Sequence, residues 1–185
     1  METKIRLALE SEREAIARCI AEGFERDFSL FSKDTDKVTA ALVPGIVPRR
    51  FYVAERGQEI VGVAGISDST ERAVYTDARA LRINFGFWKG LLAKLVLKLE
   101  FEGRLPYPPT TGFIEFVAVR KVYRRRGIAS LLLQESMVKA GYQEYALDVM
   151  AENVSARNCY EKLGFHAFKS AGKKVFMRLE RPHAV

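Results

Sequence analysis

The run Phe113-Ile114-Glu115-Phe116-Val117-Ala118-Val119 is followed by Arg124-Arg125-Arg126-Gly127-Ile128-Ala129-Ser130-Leu131-Leu132-Leu133, and the join between the two decides how the chain is read. A stretch rich in Val, Ile and Phe predicts a strand, and Leu and Met at helical spacing through Val138 predict a helix. At the helix start the first amides have no internal acceptor and the dipole is positive, so an anion is favoured there. Gly127 lets the backbone approach a ligand, while three arginines add fixed charge and forked donors. The turn is expected to cradle a pyrophosphate or similar polyanion through Arg124, Arg125, Arg126, Gly127, Ile128, Ala129 and Ser130. The plainer alternative is a solvated basic triplet beside an ordinary turn glycine. The spacing is that of neither a Walker loop nor a dinucleotide fingerprint, since a single glycine lies in the turn.

A second segment, Asn153-Val154-Ser155-Ala156-Arg157-Asn158-Cys159-Tyr160-Glu161-Lys162-Leu163-Gly164-Phe165, reads locally as a capped helix. Asn153 suits the N-cap and Gly164 a left-handed ending. Ala156, Tyr160 and Leu163 share a face, so Tyr160 on position alone is a core residue.

Together, R-x-x-G-x-A after a strand, then N-x-x-A-x-x-x-Y-x-x-x-G-F, resemble the acetyl-coenzyme A signature of the GNAT superfamily of N-acetyltransferases. The motif-bearing match covers about residues 113 to 168. The resemblance implies an α/β fold: a mixed, mostly antiparallel sheet of about seven strands, flanked by helices and splayed at the acetyl-coenzyme A site. It also implies that Val117, Ala118 and Val119 pair with the pantetheine arm and offer a backbone NH to the acetyl carbonyl. Asn153 would touch the same arm, and the Tyr160 hydroxyl would face the thioester sulfur. The family often places an acid on this strand, which makes Glu115 the candidate base, directly or through water. The alternative for Glu115, an acid in an otherwise apolar strand, is a structural carboxylate paired with an arginine.

Acetyl transfer needs a deprotonated amine, a donor for the developing oxyanion and a proton or hydrogen bond for the departing thiolate. No Ser-His-Asp pattern supports a covalent route, and His166 and His183 have no nucleophile beside them in sequence, so direct attack is expected.

A chain of 185 residues, 48% hydrophobic and 29% charged, reads as one domain spanning 1–185. Cys19 and Cys159 give neither a disulfide framework nor a metal spacing, and no metal is expected. The start Met1-Glu2-Thr3-Lys4-Ile5-Arg6 lacks the apolar stretch of a signal peptide, so a cytoplasmic location is expected. A net charge of +7 raises nucleic acid as a partner, but the cations are dispersed and no RNA-binding aromatic motif occurs. Nucleic acid is therefore not expected; the expected partners are acetyl-coenzyme A and an amine acceptor. The oligomeric state is open, a homodimer included.

Lys4 to Leu9 reads as a first strand and Ser11 as the cap of a helix running to Phe24 or Phe28. A second helix is expected from Asp34 or Asp36 to Leu42, and a hairpin from Phe51–Glu55 and Glu59–Ser67 around Arg56-Gly57-Gln58. A final hairpin should join Phe165–Lys169 to Lys174–Leu179. Between them, Leu81, Phe85, Trp88, Leu92, Leu95 and Leu99 step by four and three, which predicts one or two amphipathic helices inserted at about 75–101. Interspersed lysines disfavour a membrane span. Core packing, a membrane-surface helix and a lid over the acceptor site are the three readings. Two other classes of function stay open beside the enzyme: a coenzyme-A-binding regulator without catalysis, and a basic membrane- or nucleic-acid-associated protein.

Overall fold

The computed structural model describes residues 2–180. His183 and Met1 lie outside the described residues. Alternating charged and apolar residues form β1 (Lys4–Leu7), shorter than the reading to Leu9 because the Leu9 amide is already taken by the Glu12 carboxylate at 2.7 Å. That bond, rather than Ser11, opens the turn into α1 (Arg13–Gly23), and α2 (Glu25–Phe28) follows. The Asp34 side chain accepts from the amides of Asp36 and Lys37 and starts α3 (Thr35–Leu42). The expected hairpin is β2 (Phe51–Arg56) and β3 (Glu59–Ser67). Next come α4 (Ala78–Phe85), α5 (Phe87–Phe101), β4 (Thr111–Val119), α6 (Ile128–Ala140) and β5 (Glu144–Met150). The described chain closes with α7 (Val154–Lys162), β6 (His166–Ala171) and β7 (Lys174–Glu180).

The seven strands lie in the order β1-β2-β3-β4-β5-β7-β6, and only the β4–β5 pair is parallel. This is the mixed, mostly antiparallel sheet expected. One face carries Phe51, Val53, Val63 and Ala118 against Ile16, Ile20, Val38, Leu81 and Phe101. The other carries Val61, Ala64, Ile114 and Leu147 against Ile128, Leu132, Leu133 and Met137. Each face buries apolar side chains that the strand alternation had to put somewhere, so the sheet is sandwiched by helices on both sides.

Two features of this frame position the site. β4 pairs β5 only from Thr111–Glu144 to Ile114–Leu147, so from Glu115 onward β4 has β3 on one side and a gap on the other. In addition, a Cβ on Gly23 would meet the Ala118 Cβ at 2.6 Å, so the glycine is what lets the end of α1 lie directly on β4.

The inserted helices correct the sequence reading. Leu81 and Phe85 are buried as the periodicity implied, but Trp88, Leu92, Leu95 and Leu99 are not. Gly86, at φ 83°, breaks the helix and resets its phase, so α5 buries Gly90, Ala93, Leu97 and Phe101 instead. The leucine stripe faces outward, so of the three readings of this segment core packing does not hold for these four residues.

Candidate active site

Val63 opposes Ala118 and Gly65 opposes Glu115, so Ala64 alone faces both Phe116 and Val117. This is a β-bulge, which re-aims the strand beyond it. Phe116 takes φ 55°, a region costly for a bulky side chain, and tertiary packing must hold it there. Its ring lies edge-on to Phe101 at 4.9 Å and to Phe24 at 6.0 Å, and tilted to Phe51 at 6.4 Å. The Arg120 amide donates to the Val61 carbonyl at 2.9 Å, which fixes the ladder phase: Ala118 turns its polar groups to β3, Val117 and Val119 to the gap. The sequence put all three in one binding role; the register divides them.

The turn after β4 is closed by its own arginine. Arg124 Nε donates to the Val119 carbonyl at 2.8 Å and its terminal nitrogen reaches the Glu22 carbonyl at 3.4 Å. Arg126 lies over the Tyr123 ring at 5.7 Å, and Arg125, at φ 64°, is exposed. The triplet therefore splits into a brace, a cation with no partner among the described residues and a stacked one. Gly127 is the left-handed N-cap of α6, and a Cβ there would meet nothing within 4 Å. The first α6 amide to reach a carbonyl at the cap is that of Leu131, on Gly127 at 3.1 Å, which leaves Ile128, Ala129 and Ser130 with amides directed out of the helix end. Open space above Gly127, outward amides and nearby cations suit a pyrophosphate.

α7 meets this helix end through Ser130 Oγ and Cys159 Sγ, 3.4 Å apart. Asn153 caps α7 by accepting from the Ala156 amide at 3.2 Å, and Gly164 ends the segment at φ 93°. Tyr160 packs edge-on to Phe165 at 6.0 Å, against the same cluster that Val117 and Val119 touch. Its hydroxyl makes no hydrogen bond among the described residues. Burial, with Cys159 and Asp148 nearby, pushes the phenol well above its ordinary pKa, so it stays a proton donor across the neutral range.

Glu115 adopts the paired arrangement. Arg72 donates to one carboxylate oxygen at 2.7 Å; the Ser67 hydroxyl and, at 3.2 Å, the Ala73 amide donate to the other. Arg72 also donates to the Gly103 carbonyl at 2.5 Å and the Glu100 carbonyl at 3.3 Å, so it ties the bulge to the end of α5. Sequence reasoning missed Arg72 and Ser67. Ser67 ends a strand and Arg72 lies in the loop beyond it, and the only signal was the unpaired acid itself.

The α1–α2 corner is fastened to the same turn by Glu22–Arg120 at 3.4 Å and by the Glu25–Lys121 ion pair. Across the gap, Lys174 joins Asp148 at 2.8 Å and Glu100. His166 accepts from Arg178 at 3.4 Å on the exposed edge strand. Burial pushes the Cys19 thiol up to about 12, leaving it an inert core residue. Among the described residues no group of three or more His, Cys, Asp or Glu is placed to hold a metal ion, and no helix is long and apolar enough to cross a membrane.

Comparison with known proteins agrees with this geometry. Residues 20–165 match the model of the Acetyltransferase (GNAT) family. N-alpha-acetyltransferase 30 of Schizosaccharomyces pombe is 41% identical over 61 residues, 31% of this chain and 41% of that protein. An N-alpha-acetyltransferase of Sulfurisphaera tokodaii is 41% identical over 70 residues, 36% of this chain and 42% of that one. The matched segments thus span about two fifths of these relatives. Among solved structures, a Pyrococcus horikoshii protein superposes with a TM-score of 0.62 at 22% identity, over 98% of this chain and 99% of that one. An N-acetyltransferase of Thermoplasma acidophilum, crystallised with coenzyme A, gives a TM-score of 0.59 at 14% identity, over 98% and 100%. The bulged and half-paired β4, the glycine-capped α6 and the matched family model lead to one conclusion: this chain belongs to the GNAT acetyltransferase family.

Proposed function

We propose that the chain is a single-domain N-acetyltransferase that moves acetyl from acetyl-coenzyme A to a primary amine by direct attack in a ternary complex. The observation that carries this is the convergence on one gap of three features: the unpaired edge of β4, the open helix end at Gly127 and the unbonded Tyr160 hydroxyl. Acetyl-coenzyme A supplies an activated acyl group and a thiolate leaving group. The edge of β4 takes its pantetheine arm as an added strand, through Val117 and Val119. The amides of Ile128, Ala129 and Ser130, with Arg125 and Arg126, take the pyrophosphate. Asn153 borders the same arm. An amide of the bulged strand donates to the carbonyl oxygen as it gains charge, and Tyr160 donates to the sulfur as the bond to carbon breaks.

Glu115 is placed as a positioning residue. Its carboxylate is held by a guanidinium, a hydroxyl and an amide, and through them it fixes the bulge on which the carbonyl donor sits. The acceptor ammonium then loses its proton to water on entering the site, more readily for an N-terminal amine with a pKa of about 8 than for an alkyl amine of about 10. The names of the curated relatives make a peptide N-terminal amine the first acceptor to try. The test is release of free thiol from acetyl-coenzyme A against a panel of peptides with free N-termini, lysine peptides and polyamines. Amine-dependent release is expected. Tight coenzyme binding with no release for any amine would instead fit a regulator without catalysis.

A further inference from the structure

The outer face of α5 is left over from this account. At about 100° per residue, Trp88, Leu92, Leu95 and Leu99 fall within roughly 60° of one another, on the side opposite the buried Gly90, Ala93, Leu97 and Phe101. They are 79%, 47%, 63% and 73% exposed, and Ile83 and Phe87 at the α4–α5 corner add 70% and 59%. Single exposed leucines are ordinary, but a continuous stripe along a helix marks a contact surface. The same helical geometry puts Lys94 and Lys98 on one flank of the stripe and Lys89 on the other. None of the three forms a salt bridge among the described residues. Glu100 pairs with Lys174, and Glu102 accepts from the Thr76 amide at 2.8 Å while feeling the charges of Lys98 and Lys94 without a direct contact to either. Between α4 and α5 lies a cavity of about 100 Å³ lined by Ala78, Arg82, Gly90, Leu91 and Lys94. It has two cations in its wall.

We propose that this face docks on the surface of an anionic phospholipid bilayer. The helix lies in the interface with Trp88, Leu92, Leu95 and Leu99 in the acyl boundary, while Lys89, Lys94 and Lys98 reach lipid phosphates. Charge complementarity selects this occupant over a second copy of the chain. Two copies packed through the stripe would set lysine rows together with no free carboxylate between them. The inference is independent of acetyl transfer, since it rests on the outer face of α5 and on none of the residues assigned to the coenzyme.

The full chain is tested by flotation with phosphatidylcholine vesicles, with and without phosphatidylserine, at low and high salt. Flotation with the anionic vesicles alone is expected, weakened by salt, with a blue shift of the single tryptophan, Trp88, and its quenching by brominated acyl chains. The pair Leu95→Glu and Leu99→Glu, and separately Lys94→Gln and Lys98→Gln, should each lower partitioning more than about tenfold. All four side chains are exposed, so the thermal midpoint should stay put. Absence of flotation, or equal flotation by the wild type and both variants, would overturn the proposal. So would a dimer in sedimentation that Leu95→Glu disperses, because the stripe would then belong to a second copy, and so would stoichiometric capture of an acidic-grooved protein in preference to vesicles.

Discussion

Arg72 and Glu115, 43 residues apart in the chain, form an ion pair of 2.7 Å in which both side chains are almost wholly buried. The pair joins the loop after β3, the bulge of β4 and the end of α5. Removing one partner strands a buried charge, so Arg72→Ala should cost about 3 to 5 kcal/mol. Urea unfolding monitored by circular dichroism reads this directly. A loss under about 1 kcal/mol would mean that water replaces the arginine freely.

Glu115→Gln separates positioning from base catalysis. An amide keeps an acceptor for Ser67 and Ala73, so a positioning role gives a loss in kcat of less than about tenfold and leaves the acid limb of the pH–rate profile in place. A general base would lose about 10²- to 10⁴-fold and carry that limb away with it.

Tyr160→Phe retains the contact with Phe165 and removes only the hydroxyl. Transfer should slow by about tenfold for a hydrogen bond to sulfur, or 10² to 10⁴ for full proton donation, at unchanged coenzyme affinity. The raised pKa means the hydroxyl is still protonated beyond the ordinary value near 10, so the rate profile between about pH 6 and 9 should keep its shape in the variant. Wild-type turnover, with chemistry shown to limit the rate, would reduce Tyr160 to packing.

Asp68 offers a pH test of stability. Burial would raise its pKa, but hydrogen bonds from Thr70, Tyr142 and Arg50 outweigh this and hold it well below the usual carboxylate range. A depressed folded pKa stabilises fully above the unfolded value near 3.9 and is lost as pH falls toward the folded one. Asp68→Asn should therefore lower stability at pH 7 by at least about 2 kcal/mol, and the gap from wild type should shrink between about pH 5 and 2. A gap that widens on acidification would show that the sign is wrong.

What could be read ahead of the structure was what local chemistry dictates. Asn153 as a cap, Gly164 as a left-handed residue and the two hairpins all follow from one or two neighbours, and each is where the sequence put it. Joining Trp88, Leu92, Leu95 and Leu99 to Leu81 and Phe85 in one stripe carried a single period across Gly86, whose positive φ starts a new phase. The Arg72–Glu115 pair and the bulge at Phe116 depend on contacts between distant segments, and spacing along the chain carries no trace of them. Gly127 was legible as the glycine of the strand-to-helix turn, but the brace formed by Arg124 was not, because its acceptor is a backbone carbonyl.

The most direct test of acetyl-coenzyme A use is calorimetric titration of coenzyme A into the wild type and Gly127→Asp. The added Cβ meets no protein atom, and left-handed strain costs only about 1 to 2 kcal/mol, so the variant should fold. Its carboxylate would stand at the positive helix end that the pyrophosphate requires. Measurable binding by the wild type and none by the folded variant is the expected result; equal affinity in the two would contradict a coenzyme site at this turn.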